Sequence, residues 1–271
     1  MKVFPTAENY WHFDDKLAQK YLFDALGIPT PSTYIFFSHR EALEWVKSAK
    51  FPCVFKLKAG AGSTNVSLIR NCGEAEARIA RMFGRGYAPH DSAIRDVRHK
   101  MRLHRAKRDW LATMKRGPQT MHTLWRNHRD LDRERGYIYF QEFVDGNTHD
   151  TRVMIIGNRA FAFRRKVRPG DFRASGSGLC DYDPSHIDIA CVKDAFAAAR
   201  RIGATCMGFD FVNRRSEDRP LIVEMSYGIP PGLVFQCPGH WRSDMSWQDG
   251  HVWPQDAVLD DLLGTLNYQR N

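Results

Sequence analysis

Apolar residues recur at helical spacing over 14–26, where Leu17, Tyr21, Leu22 and Leu26 share a face behind an opening Asp14 or Asp15. Gly27-Ile28-Pro29-Thr30-Pro31 ends that pattern, and Thr33–Phe37 reads as a short strand. Ser38 is placed to cap a helix over 39–49. The apolar run Phe51–Leu57, the small-residue turn Ala59–Thr64 and the run Val66–Ile69 predict a hairpin-like pair of strands. Residues 74–135 keep a mostly helical pattern, after which Tyr137–Phe143 returns to strand and stops at Asp145-Gly146-Asn147. Arg152–Ile156 and Arg159–Arg165 flank Gly157-Asn158, a two-residue signal for a β-hairpin. Pro169–Gly178 is a Gly/Ser-rich loop and Ile187–Ile202 an Ala-rich helix. Two apolar strands follow at 207–211 and 221–225, then a Pro- and Trp-rich tail from 229 with a short helix near 255–266. Hairpins mixed with helices predict an α+β fold, without repeats or low-complexity tracts.

Composition narrows this only slightly. The 271 residues are 43% hydrophobic and 26% charged, an ordinary globular balance. No run approaches eighteen apolar residues, so no membrane span is expected, and the opening Met1-Lys2-Val3-Phe4-Pro5 lacks a signal-peptide core. The six cysteines form no C-x-x-C pair and several sit in apolar runs, which predicts reduced, buried thiols in a cytoplasmic protein rather than a zinc site. The charge is more telling. Residues 78–135 hold 16 Lys/Arg against 6 Asp/Glu, a local +10 in a chain whose total is +9. Within 84–135, Arg95, Arg98, Arg102, Arg105, Arg108 and Arg116 recur near helical spacing, with His99, His104, Trp110 and Trp125 between them. That stretch reads as a surface for an anionic partner such as RNA, an anionic glycan, an acidic peptide or a membrane, or as a solvated face paired to Asp91, Asp96 and Asp109.

The candidate chemistry begins with two acids. Asp210 lies inside Met207-Gly208-Phe209-Asp210-Phe211 and Glu224 inside Leu221-Ile222-Val223-Glu224-Met225. A single carboxylate in an apolar strand needs a compensating cation, and two hard oxygen donors on neighbouring strands suit Mg²⁺. Lys56 ends a buried-looking strand just before a glycine-rich turn whose backbone N–H groups can surround phosphate oxygens; it also reads as an edge-strand lysine before an ordinary turn. The P-loop pattern is absent. Gln141-Glu142-Phe143-Val144 ends a strand and either leaves backbone groups for an adenine edge or simply stops. Asp150-Thr151-Arg152, with Arg164, Arg165, Lys166, Arg168 and Arg173, gathers arginines that need an anion, or else forms a solvated basic edge.

In this order the segments resemble the ATP-grasp family over roughly residues 12–228, nearest its ribosomal-protein glutamate ligase and glutathione synthetase types. The residues that carry the resemblance are Asp15-Lys16-Leu17 with Gly27–Pro31; Phe51–Lys56 with Gly60-Ala61-Gly62-Ser63; Gln141–Val144; Asp150–Val153; Gly170–Gly176; Gly208-Phe209-Asp210; and Val223–Ser226. The resemblance implies an α+β ATP-grasp fold that holds a nucleotide between two α+β subdomains, with a reduced or absent N-terminal domain before them. It divides the chain into 1–50, a lid subdomain 51–136 with the basic insertion, a subdomain 137–228, and the aromatic tail 229–271.

The resemblance also implies roles. Lys16 and Lys56 would contact ATP phosphates beneath a lid of Gly60, Gly62 and Ser63. Gln141, Glu142, Phe143 and Val144 would border adenine, and Asp150 the ribose. Arg152 and Arg164 would face the phosphate or the acceptor carboxylate, and Arg173, with Ala174 and Ser175, the transferring phosphoryl group. Asp210 and Glu224 would hold one or two Mg²⁺ ions, or Mn²⁺ in their place, with Ser226 standing where the family usually has Asn as a ligand. The implied reaction is ATP-driven ligation of a small carboxylic acid to an amine through an acyl phosphate, the acid being an amino acid, a peptide end or a sugar acid, with a link to surface polysaccharide. The alternatives are an ATP-grasp small-molecule kinase and a non-catalytic nucleotide-binding module that binds an anionic polymer. Tail residues Trp241, Trp247 and Trp253 are expected either to close over the acceptor site or to pack an irregular tail, and a homo-oligomer is compatible with all of these readings.

Overall fold

The computed structural model describes residues 4–60, 65–87, 133–168, 170–214 and 219–267. Its elements run α1 (Ala7–Tyr10), α2 (Lys16–Ala25), β1 (Thr33–Phe36), α3 (His39–Val46), β2 (Cys53–Lys56), β3 (Val66–Ile69), α4 (Cys72–Phe83), β4 (Ile138–Glu142), β5 (His149–Ile156), β6 (Arg159–Lys166), β7 (Cys180–Asp181), α5 (Ile189–Ile202), β8 (Cys206–Arg214), β9 (Arg219–Ser226), α6 (Pro231–Phe235), β10 (Gly239–Arg242), β11 (Trp247–Asp249) and α7 (Pro254–Asn267). Four helices start on a side chain that accepts from their first free N–H groups: Asp15 for α2, Ser38 for α3, Asn71 for α4 and Asp188 for α5. Helix α5 stops at Gly203, whose φ of +76° is the left-handed conformation of a helix end.

The chain forms two compact units, one of residues 34–140 and one of residues 1–33 with 141–271. The first is built on a four-stranded sheet of order β1-β4-β2-β3, with α3 and α4 packed together. Its interior includes Val46, Phe55, Ile79, Met82, Ile138 and Phe140, and Trp45 stacks on Phe140 at 5.1 Å. Of the basic stretch 84–135, residues 88–132 lie outside the described residues, and so do Gly62 and Ser63.

The second unit is a seven-stranded sheet of order β11-β10-β6-β5-β8-β9, with β7 beside β6. Residues Ile156 and Arg159 pair across Gly157-Asn158, the expected hairpin. One side of this sheet carries the larger apolar core. Val153, Ile155, Ala162, Met207, Phe209, Phe211 and Met225 pack there with Cys191, Val192 and Ala195 of α5 and with Phe23 of α2. On the other side, Met154, Ile156, Phe161, Phe163 and Cys206 are covered by Val234, Cys237 and Ala257. Those covering residues belong to the tail, which is regular where the sequence suggested irregularity. Its β10 pairs with β6 through Trp241↔Ala160 and turns back as β11, with Trp241 and Trp247 edge to face at 4.6 Å. Gly239 is the residue that lets the hairpin close, because a Cβ there would come within 2.4 Å of the Trp247 ring.

Candidate functional site

In an antiparallel sheet, residues directly opposite each other project on the same side. The pairs Asp150↔Arg165, Arg152↔Asp210 and Asp210↔Glu224 therefore put five charged side chains on one side of β6, β5, β8 and β9. This is the side that carries Met154 and Phe163 two residues further along the same strands. At Asp210 a β-bulge shifts the register, so that Phe211 pairs with Ile222 and Val223 is the extra residue. A bulge re-aims a side chain at the cost of a ladder bond. Here it leaves Glu224 opposite Asp210.

Apart from the half-exposed Glu224, the charges are almost fully removed from water, and all are matched. Arg165 holds Asp150 at two points, Nε to Oδ1 at 2.7 Å and Nη2 to Oδ2 at 2.6 Å. The same Nη2 is 2.8 Å from Asp210 Oδ2, and Arg152 Nη1 is 3.3 Å from Asp210 Oδ1. Lys16 Nζ is 3.5 Å from Glu224 Oε1. Three carboxylates thus face three cations, the arrangement in which buried charge is tolerated. Burial raises the Asp150 carboxyl to about 6, with Arg165 pulling the other way. The same burial would lower Arg165, but Asp210 and Asp150 outweigh it and keep the guanidinium charged.

Two neutral residues set this geometry. Gln19, one turn beyond Lys16, is buried and mimics a strand: its Nε2 donates to the Met225 carbonyl at 3.0 Å and its Oε1 accepts from Met225 N–H at 3.3 Å. A second bond from Nε2 to the His12 carbonyl at 3.2 Å fixes the amide. Helix α2 is thereby tied to the edge of β9, one residue from Glu224. Gly208 is the other. A Cβ there would lie 2.8 Å from Met154 Cε and 3.0 Å from Arg152 Nη2, so the guanidinium occupies space that only glycine leaves. Arg152 Nε and Asp210 Oδ1 are both buried and have no hydrogen-bond partner among the described residues, although Arg152 Nη1 lies 3.3 Å from that oxygen as an ion pair.

The remaining candidates are distributed as follows. Arg164 does not join this group: it pairs opposite Thr151 and Asp181, hence on the other side of the sheet from Arg152. Two adjacent arginines on a strand cannot share a face, and the register selects Arg165. Arg173 is clasped by Asp171, Nε and Nη2 to Oδ2 at 2.9 and 2.7 Å, and that contact holds the Asp171 carboxyl below the usual carboxylate range. Ala174 is buried, and the Ser175 carbonyl accepts from Arg168 at 2.9 Å. Ser226 Oγ accepts from Gly228 N–H at 3.1 Å. Gln141 is buried and donates to Thr33 Oγ1 at 3.0 Å, while Glu142 is engaged by Arg214 at 2.5 Å. Phe143 meets Phe172 edge to face at 5.7 Å, and the Val144 carbonyl accepts from Asn147 at 3.1 Å. In the unit 34–140, Lys56 is buried at the end of β2, and Gly60 takes φ of +126° where a Cβ would strike Asn65. Sequence reasoning missed Gln19 altogether and left Arg165 out of the site.

Among the described residues no three His, Cys, Asp or Glu side chains gather as a metal centre. Asp210 and Glu224 are a pair of hard oxygen donors, and two carboxylates are what Mg²⁺ takes when a nucleotide's phosphates supply further oxygens. The donor set fits that ion in that setting.

The chain has the ATP-grasp fold. It superposes on phosphoribosylamine–glycine ligase from Thermotoga maritima with a TM-score of 0.51 and 14% identity, over 79% of this chain and 47% of that one. Also similar are a RimK domain ATP-grasp protein from Sphaerobacter thermophilus (TM-score 0.44, 16% identity, 79% of this chain and 59% of that one) and D-alanine–D-alanine ligase from Bacillus anthracis (TM-score 0.45, 12% identity, 79% and 56%). The chain spans 47–59% of the length of these proteins. No family model and no curated protein matches the sequence. Among the described residues, no helix is long and apolar enough to cross a membrane.

Proposed function

We propose that this chain uses Mg·ATP to join a carboxylic acid to an amine through an acyl phosphate. The observation that carries this reading is the matched charge group on an ATP-grasp sheet. Asp210 and Glu224 stand opposite each other, with Arg152, Arg165 and Lys16 against them. A stable core has no need of such a group, since apolar side chains of similar volume are often as good or better.

Asp210 and Glu224 would hold the magnesium, which when bound supplies positive charge to the phosphate oxygens. Lys16, buried beside Glu224, adds a fixed cation to the same place. Arg152, whose Nε has no hydrogen-bond partner among the described residues, is a cation for an anion, either the acceptor carboxylate or the phosphoryl group in transfer. Arg173, steadied by Asp171, is a second cation for that anion. In the reaction a carboxylate oxygen of the acid attacks the γ-phosphorus and the bond to the β–γ bridging oxygen breaks, releasing ADP. The amine nitrogen then attacks the acyl carbon, phosphate leaves with the bonding pair, and the nitrogen gives its proton to solvent. No protein nucleophile is required, and positioning with electrostatic stabilisation carries the rate. We take the acid to be an amino acid, a peptide end or a sugar acid. The net +10 of residues 78–135 supports an anionic partner as well.

The test is a screen of acids and amines with Mg·ATP. Free phosphate, ADP and an amide together support the ligase. A phosphorylated product without free phosphate would replace it with a kinase, and ATP binding without turnover across the screen would leave a nucleotide-binding module. Glu224→Gln should lower product formation roughly 10²–10³-fold while ADP binding without metal stays measurable by calorimetry. Unchanged turnover in that variant would remove Glu224 from the site.

A further inference from the structure

Arg165 is the one guanidinium of this group that contacts two carboxylates. Its planar fork is fixed on Asp150 by two bonds of 2.7 and 2.6 Å, and the far nitrogen then meets Asp210 at 2.8 Å. All three side chains are 12% exposed or less. The other contact to Asp210, from Arg152, is longer at 3.3 Å. Glu224 differs in kind: it is 32% exposed and is met by Lys16 at 3.5 Å. One carboxylate of the pair is therefore preset from behind, and the other is set from the side by a lysine.

An aspartate's terminal torsion is soft, and its two oxygens exchange places over a broad range. A carboxylate that must offer one oxygen to a cation loses affinity if it is free to turn, which is why the partners behind metal ligands matter. We infer that Arg165 is a positioning residue, with Asp150 as its anchor, that holds the Asp210 carboxylate in the orientation in which it meets the cation of the Mg·nucleotide. The inference rests on the magnesium reading of Asp210 and adds to it a residue two strands away from Asp210 itself. Lysine does not replace arginine here, because an ammonium on a flexible stem lacks the planar fork that grips one carboxylate at two points while meeting a second in a fixed direction.

The experiment follows free Mn²⁺ by electron paramagnetic resonance as the whole chain is titrated in the presence of ADP. Arg165→Lys keeps the charge and removes the fork, and should weaken Mn²⁺ binding about 10–100-fold. ADP affinity measured without metal should not change. Arg159→Lys serves as a control for lost packing. Arg159 lies at the hairpin end of the same strand and pairs with Asp261 at 2.7 Å, so this variant likewise exchanges an ion-paired guanidinium for an ammonium and should keep the wild-type Mn²⁺ affinity. If Arg165→Lys binds Mn²⁺ as tightly as wild type with ADP present, the positioning role is overturned. If Arg165→Lys is not folded at the assay temperature, Asp150→Asn is read in its place: a loss in Mn²⁺ affinity supports the role and wild-type affinity overturns it. Should the wild-type chain itself fail to bind Mn²⁺ with ADP, the magnesium reading falls and this inference falls with it, an outcome distinct from one in which only the variants match wild type.

Discussion

Strands β5, β6 and β8 carry two environments on the same side of one sheet, only two residues apart. At one end stand Asp150, Arg152, Arg165 and Asp210; at the other stand Met154, Ile156, Phe161, Phe163 and Cys206, closed over by Val234, Cys237 and Ala257 of the tail. The alternation is unbroken across the boundary, and what changes is what each side chain needs. The apolar end gains from being covered by anything that excludes water. The charged end is also nearly dry, but it is held by matched partners at defined distances, and losing one partner leaves the others exposed to a full desolvation cost. The tail therefore fixes where the site begins, because the strands are covered up to Met154 and Phe163 and are charged beyond them.

That division predicts opposite outcomes for neighbours on one strand. Phe163→Ala removes a fully buried ring that also meets Tyr182 at 5.5 Å, and should cost about 3–5 kcal/mol in urea unfolding. Below the unfolding transition, the surviving folded protein should bind Mn²⁺ and ADP as wild type does. A variant of near-normal stability that had lost ligand binding would show that the two ends are not separate.

The sequence made one end of this comparison far easier to read than the other. Asp210 and Glu224 were legible because each is the lone acid of an apolar strand, and Asp150 and Arg152 because alternate residues share a side. The hairpin at Gly157-Asn158 was legible because two residues with that composition admit few turns. The choice between Arg164 and Arg165 was not, since it depends on the pairing Asp150↔Arg165, and pairing is a property of two strands rather than of one. Gln19 gave no signal because an amide on a half-exposed helix is unremarkable until Met225 is placed beside it. The tail was misjudged for a similar reason: β10 finds its partner in β6 some eighty positions earlier, and an aromatic-rich segment without local alternation does not reveal a distant strand.

A middle-sized effect should come from the link that sets Lys16. Gln19→Leu keeps the volume but leaves the Met225 N–H and carbonyl without their side-chain partner, at a cost of about 1–3 kcal/mol. The loss falls on the charged end, because the hydrogen-bond partners of this amide among the described residues are His12 and Met225, next to Glu224, and not residues of the tail. In the ligase reading the Michaelis constant for ATP should rise, while kcat at saturating ATP falls less, the pattern of a weakened binding group. A fall confined to kcat would mean that Lys16 acts on the reacting phosphate rather than on ground-state binding.

The smallest change tests the boundary itself. Gly208 lies where the two environments meet, and a methyl group there would press at once on Met154 Cε at 2.8 Å and on Arg152 Nη2 at 3.0 Å, with the Ser226 carbonyl at 3.2 Å. The tip of a methionine yields easily, so Gly208→Ala should cost only about 1 kcal/mol. The guanidinium cannot yield without changing its 3.3 Å approach to Asp210. A second substitution, Met154→Ala, opens space on the apolar side only. If the ends are independent, the double variant should gain nothing in activity over Gly208→Ala, because Arg152 remains displaced whatever happens at Met154. Recovery of activity in the double variant would mean that the alanine methyl can move toward the vacated apolar space and free Arg152, and that the charged end depends on packing that its own hydrogen bonds do not control.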